Sequence, residues 1–240
     1  MQAKGLVVFL LRKYFVPERT NGKYLVTNGG LFLNLSDVFV LSYYFFSWKT
    51  DNYPFSVNRI MERKIYNPIQ KDQVIFLKTA ADTNGECTLV EVTLADGGGV
   101  GLHYHKTYSE KFDCIEGEVQ VQLGKKIHPL KAGESASADP NINHLFRNRS
   151  GKPAKFLVEL RPASRGFEQS LQVGYGLAND GLCKSNGFPK DKLALAWLFD
   201  ISESNLPGWM SMFEFILRKQ AKKARQKGID TQLTQQYVRF

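Results

Sequence analysis

The chain is poor in cysteine: only Cys87, Cys114 and Cys183 occur, widely spaced and odd in number. They make no CxxC pair and no disulfide framework. That excludes cysteine-held zinc and the small disulfide-stapled secreted folds, and it favours a reducing, cytoplasmic setting. Long apolar runs are also lacking. The stretch from Gly5 to Leu11 is apolar but short, and no small-residue cleavage pattern follows it. Residues 31–48 are aromatic and apolar, yet they carry Asn34, Ser36 and Asp37. A membrane-spanning helix needs ~20 mainly apolar residues, and an acid near its centre is costly, so no transmembrane segment is assigned. No helix-turn-helix or zinc-ribbon pattern is present. The net charge of +9 invites a nucleic-acid reading, but six cations sit between Arg218 and Lys227 with no acid among them. The excess therefore belongs to one tail, and nucleic acid is not read as a partner.

What is present is a chain that is 43% apolar, enough for a substantial core. Histidine is scarce, but three of the four histidines fall in one ordered region. With five residues intervening after Gly97 come His103 and, two on, His105, then Glu110 and Gly117; a second piece runs from Gly133 to His144 and Asn148. Residues two apart on a strand face the same side, so a strand would present His103 and His105 together. The glycines at 97, 98, 99 and 101 argue against a helix here. Two imidazoles and a carboxylate, with His144 as a fourth donor from a remote strand, suit Zn, Fe, Mn, Ni or Cu better than Ca or Mg. His128 lies outside this pattern and reads as an ordinary surface or core residue.

These two pieces resemble the paired motifs of the cupin superfamily, over roughly residues 70 to 165. The first motif matches at Gly97, His103, His105, Glu110 and Gly117; the second keeps Gly133, His144 and Asn148. The second departs in its middle, where Asp139, Pro140 and Asn141 stand in place of a proline and a glycine two residues apart. Asparagine replaces glycine where the backbone turns left-handed. The resemblance implies a mainly β fold: a single RmlC-like jelly roll, or double-stranded β-helix, holding one divalent transition metal on His103, His105, Glu110 and His144. It also implies chemistry on a small oxygenated molecule, of the dioxygenase, decarboxylase or isomerase kind, with Glu110 as a candidate catalytic proton carrier. The motif does not choose among these reactions, and a non-catalytic ligand-binding module stands as the alternative.

The rest of the chain agrees with that class. Short β-rich runs at 74–77, 87–94, 111–115, 119–123, 127–130, 145–147 and 154–160 are separated by glycine turns without intervening helices. Gly117 and Glu118 read as a hairpin turn. Alternation puts Phe112 and Cys114 on the face of Glu110, and Phe146 and Asn148 on the face of His144, as pocket-lining candidates; Asn148 also reads as a structural cap. Tyr104 and Tyr108 are expected to point away from the donors. Beyond Pro162 the pattern is helical: 167–177, 191–199, 208–227 after a Pro207 start, and 230–238. The expected domains are therefore an extension over 1–60, with Met61 the natural start, a cupin barrel over 61–165 and a helical extension over 166–240. The helices are expected to pack on the barrel or on a second copy in a homodimer. Contact of 206–227 with a membrane surface is the secondary reading.

Overall fold

A computed structural model describes residues 63–240, together with a two-stranded antiparallel pairing of Arg19–Thr20 with Lys23–Tyr24. The extension over 1–60 and the start at Met61 otherwise lie outside the described residues.

From residue 63 onward, nine strands follow in order: β1 (Lys64–Asn67), β2 (Asp72–Lys78), β3 (Thr88–Leu94), β4 (Ser109–Glu116), β5 (Glu118–Leu123), β6 (Lys126–Lys131), β7 (Ser135–Ala138), β8 (His144–Arg147) and β9 (Ala154–Arg161). They form two antiparallel sheets. One has six strands in the order β1-β2-β3-β9-β4-β7, and the other has three, β8-β5-β6. β3 shows why these segments are strands. Its residues alternate between buried and half-buried along the whole length, with Val90, Val92 and Leu94 inward. β9 does the same with Phe156, Val158 and Leu160. Register then aligns Val90, Val158 and Phe112 across three neighbouring strands. Val119, Val121 and Leu130 from the smaller sheet join the same core. Each such side chain contributes roughly 1.5–3 kcal/mol on burial. The arrangement is a mainly β jelly roll in two sheets, rather than a single continuous closed sheet.

Two expectations from sequence need correction here. Gly117 and Glu118 do not form a hairpin. β4 belongs to the larger sheet and β5 to the smaller, so the chain changes sheets at Gly117. Gly117 has φ 76°, and a Cβ there would stand 2.8 Å from the Pro153 carbonyl oxygen. A crossing this tight is met by glycine because no side chain fits it. Two short strands, β1 and β7, have no counterpart among the runs expected from sequence. Each pairs along a single edge, and β7 is four small residues with no apolar signature.

Four α-helices follow: α1 (Arg165–Asn179), α2 (Lys192–Ile201), α3 (Glu214–Gln226) and α4 (Ile229–Tyr237). Side-chain caps start the first two. Ser164 accepts from Phe167 N, and Asp191 accepts from Leu193 N and Ala194 N, which satisfies otherwise unpaired first-turn donors. α1 faces two cores. Phe167, Leu171 and Tyr175 pack with the sheet residues, while Val173 and Leu177 pack with Trp197 and Leu198 of α2. The buried Glu168 ties α1 down, accepting from Ala80 N and Thr88 Oγ1 at 2.6 Å each.

The helix expected over 208–227 is instead a 3-10 segment, Gly208–Phe213, followed by α3. Nothing in Gly208–Phe213 is buried and no side chain caps its start; without packing, its apolar residues do not enforce an α-helical face. Trp209, Met212 and Phe215 are 73%, 78% and 75% exposed. Among the described residues, no helix is long and apolar enough to cross a membrane.

Candidate metal centre and its cavity

His103, His105, Glu110 and His144 converge. One donor atom from each lies within 4.8 Å of the others. Glu110 is the second residue of β4, and His144 opens β8 in the other sheet. His103 and His105 do not sit on a regular strand. The stretch from Gly97 to Tyr108 makes only single bridges, one of them His103 with His144 through hydrogen bonds of 3.0 and 2.7 Å. Both rings nevertheless face one side, with centroids 4.8 Å apart. Gly99 permits the approach: φ is 152°, and a Cβ would stand 2.6 Å from the Phe146 carbonyl oxygen. Asn141, just before His144, has φ 68°, and its N–H donates to the His105 carbonyl at 2.7 Å.

Backbone carbonyls fix the imidazole tautomers. Nδ1 of His103 donates to Gly101 O at 2.8 Å, Nδ1 of His144 to Ile142 O at 2.8 Å, and Nδ1 of His105 to Glu203 O at 3.2 Å. A carbonyl only accepts, so each Nδ1 carries the proton and each neutral ring turns an Nε2 lone pair inward. The Nε2 atoms of His105 and His144 are buried and have no hydrogen-bond partner. They face Glu110, 3.6 Å from Oε1 and 3.2 Å from Oε2 respectively. Lone pairs directed at a carboxylate repel unless a proton or a cation lies between. The donor set therefore fits a divalent transition metal, with carbonyl partners outside it holding the ligands in orientation.

The electrostatics agree. Burial, reinforced by His144 and His105, lowers the pKa of His103 to about 4. Burial likewise lowers that of His105. Burial opposes ionisation of Glu110, but the imidazoles of His144, His105 and His103 that face it outweigh burial and lower its pKa to about 2. His144 is desolvated too, yet the adjoining Glu110 carboxylate raises its pKa. At neutral pH the cluster is a carboxylate with at least two neutral imidazoles, the protonation state a metal takes.

Several partners of the cluster come from outside the motifs. Tyr108 does not point away: its ring stacks on His105 at 4.3 Å, and its hydroxyl donates to Ser202 O at 2.7 Å. Glu203, whose φ is 52°, supplies the carbonyl for His105, and its carboxylate accepts from Thr107. Asn205 exchanges backbone hydrogen bonds with Tyr104 at 3.2 and 2.9 Å. The C-terminal end of α2 thus closes over the histidine segment. Nothing in sequence marks this, because Ser202 and Glu203 lie more than 90 residues from their partners.

A cavity of about 280 Å³ adjoins the cluster, with His103, His105 and Glu110 in its lining. Of the pocket residues expected from alternation, Phe146 lines it. Phe112, Cys114 and Asn148 do not. Phe112 is wholly buried in the core beneath His144, at a ring separation of 6.2 Å. The Cys114 thiol is turned toward the Glu116 and Gly117 carbonyls, and burial raises its pKa. Asn148 bonds Leu94 O, Lys152 O and Ser150, which makes it a loop clamp. Alternation gave their inward direction correctly but could not separate a packed layer from a hollow one.

The family model described as a cupin domain matches residues 90–159. This domain is a member of the cupin superfamily. The cupin domain is similar in sequence to Protein SchB of Streptomyces halstedii, 32% identical over 85 residues, which are 35% of this chain and 59% of the relative. It is also similar to the polyketide synthase CurC of Streptomyces cyaneus, 33% identical over 67 residues, 28% of this chain and 43% of the relative. The chain spans about half the length of the curated relatives it matches. Among solved structures it is similar to TT1209 from Thermus thermophilus, at 26% identity over 45% of this chain and 98% of that one, with a TM-score of 0.38. The four donors all lie within the matched segment, whereas Ser202, Glu203, Asn205 and α1 lie beyond it.

Proposed function

We propose that this cupin domain holds one divalent transition metal, Fe, Mn, Zn, Ni or Cu, on His103, His105, Glu110 and His144, and acts on a small oxygenated organic molecule in the adjoining cavity. The observation that carries the reading is the pair of buried, unpartnered Nε2 atoms directed at a buried carboxylate. When bound, the ion supplies Lewis acidity toward a substrate oxygen and a place for water or dioxygen beside it.

The protein's own contributions follow from the geometry. The carbonyls of Gly101, Ile142 and Glu203 hold each imidazole in one tautomer. Apolar walls, including Val90, Val92, Val158 and Phe146, exclude water and strengthen the polar contacts inside. Glu110 is the carboxylate placed to carry a proton between ligand oxygen and cluster. Enolic and diketone compounds of dioxygenase or isomerase chemistry are the favoured substrate class. Two neighbouring oxygens match a metal with open positions, and one curated relative is named a polyketide synthase, a name that belongs to chemistry rich in such groups.

Elemental analysis of the purified protein is expected to give close to one metal per chain, and His103→Ala to empty the site. Aerobic turnover of a panel of enolic and diketone compounds is expected to consume oxygen or isomerise substrate. Protein free of metal overturns the reading. Stoichiometric metal with neither oxygen uptake nor product transfers it to a non-catalytic binding module.

A further inference from the structure

The same cavity has a second polar feature, remote from the histidines. Asp72 lines it and is only 2% exposed. Its Oδ2 accepts from the Tyr175 hydroxyl at 2.6 Å, and its Oδ1 is buried without any partner. A buried acceptor left open is destabilising relative to a satisfied one. Burial raises the Asp72 pKa to about 6, against the pull of Tyr175.

The register shows that this is the other end of the site. Asp72 pairs with Leu94, the last residue of β3. Glu110 pairs with Leu160, which pairs with Thr88, the first residue of β3. Helix α1 gives the span. Phe167 lies beside Tyr108, the residue stacked on His105, and Tyr175 holds Asp72. The two ends thus lie at opposite ends of β3, with α1 running from one to the other. Val74, Val90, Val92 and Leu171 form the apolar wall between them.

The side-chain acceptors of Asn67 and Gln70 are engaged. Asn67 Oδ1 accepts from Ile69 N and Gln70 N, and Gln70 Oε1 accepts from Asn67 Nδ2. One open acceptor, Asp72 Oδ1, remains. An ammonium brings three donors and would leave two unsatisfied in an apolar chamber, whereas a hydroxyl brings one.

We infer that Asp72, positioned by Tyr175, is a specificity-determining anchor for an elongated ligand, accepting a hydrogen bond from a hydroxyl at the end opposite the ligand oxygens that face the histidine cluster. The inference rests on the metal reading for the near end of the ligand and adds the far end. It excludes compact two- or three-carbon substrates as the preferred class and selects rod-shaped molecules with an oxygenated head and a hydroxylated tail.

The test uses two probes: 1-(naphthalen-2-yl)butane-1,3-dione and its 6-hydroxynaphthyl counterpart. Each is titrated by calorimetry into metal-assayed full-length protein, wild type and Asp72→Asn, at pH 8. The hydroxylated probe is expected to bind wild type at least ~10-fold tighter, with that preference falling below ~2-fold in Asp72→Asn while the unhydroxylated probe binds both proteins equally. Tyr175→Phe, which keeps the carboxylate but frees its second oxygen, is expected to retain a preference above ~3-fold. Equal binding of the two probes to wild type, or equal weakening of both by Asp72→Asn, overturns the anchor and leaves a purely structural tie. Absence of binding to metal-loaded wild type overturns it as well. Absence of metal in wild type is a separate failure, that of the metal reading, and is identified by the elemental assay before any probe is added.

Discussion

At the histidine end of the cavity, four donors crowd toward one point and each imidazole is braced by a carbonyl behind it. At the Asp72 end, a single carboxylate has one oxygen braced by Tyr175 and the other bare. Both ends bury charge in an apolar chamber, but in opposite electrostatic situations. Glu110 is surrounded by imidazoles, and its pKa falls to about 2. Asp72 meets only neutral donors, the Tyr175 phenol foremost, and burial raises its pKa to about 6. Burial penalises both carboxylates; what differs is whether neighbouring groups stabilise the charged form enough to overcome it. The near end is built to hold a charge permanently, and the far end holds one under strain.

Breaking the near end should have the largest effect. His144→Ala is expected to reduce metal content to background. It also removes the stabilisation that a tightly held ion provides, about 4 kcal/mol at a thousandfold excess over its dissociation constant, read as a lower Tm than metal-replete wild type and a Tm no longer responsive to chelator.

The far end should make stability depend on pH in a distinctive sense. A carboxyl whose folded pKa, about 6, exceeds its unfolded value of 3.8 favours the fold fully when protonated, below pH 3.8, and loses that contribution as pH rises through 6. A shift of this size corresponds to about 3 kcal/mol. Denaturant melts of Asp72→Asn and wild type are therefore expected to diverge between about pH 4 and pH 6, with the variant gaining relative to wild type as pH rises, and to run parallel above about pH 7. Curves parallel throughout would show that Asp72 is not strained.

Tyr175→Phe strips the remaining brace and leaves both oxygens bare, at a cost of roughly 1–3 kcal/mol in denaturant melts at pH 8, with metal content unchanged. The smallest effect is expected in the segment that braces the near end from behind. Glu203→Gly keeps the carbonyl that orients His105 and relieves a φ of 52°, while losing the bond from Thr107. Stability should move by less than about 1 kcal/mol and metal should be retained. Loss of metal in this variant would mean that the Glu203 side chain, rather than its carbonyl, supports the near end.

The near end was readable in the chain and the far end was not. His103, His105, Glu110 and His144 sit at spacings that turns and strands convert into proximity, and glycines at 98, 99 and 117 mark where the backbone must pass close to other backbone. The inward faces of Phe112, Cys114 and Phe146 followed from alternation, although only Phe146 reaches open space. Asp72 looks like an ordinary polar residue before a strand, and Tyr175 like one more aromatic on an amphipathic helix. They are 103 residues apart, and their contact depends on how α1 crosses the larger sheet. The apolar stretches after Pro189 show the same divide. Hydrophobicity alone does not say that Trp197 is buried and Trp209 exposed.

What the sequence determined by itself was periodic and local: the alternating strands, the capped helix starts, the glycine turns, and a donor set of three nitrogens and a carboxylate. These are properties of a few neighbouring residues, and short-range sterics and side-chain direction enforce them. Only the tertiary structure decided which inward residues pack and which line a cavity, that Ser202 and Glu203 brace the histidine segment, and that a bare carboxylate oxygen stands at the far end of the same cavity as the cluster. Those facts arise where elements distant in the chain meet, and the free energy that brings them together is non-directional burial, which records in sequence how much surface is hidden but not what it is hidden against.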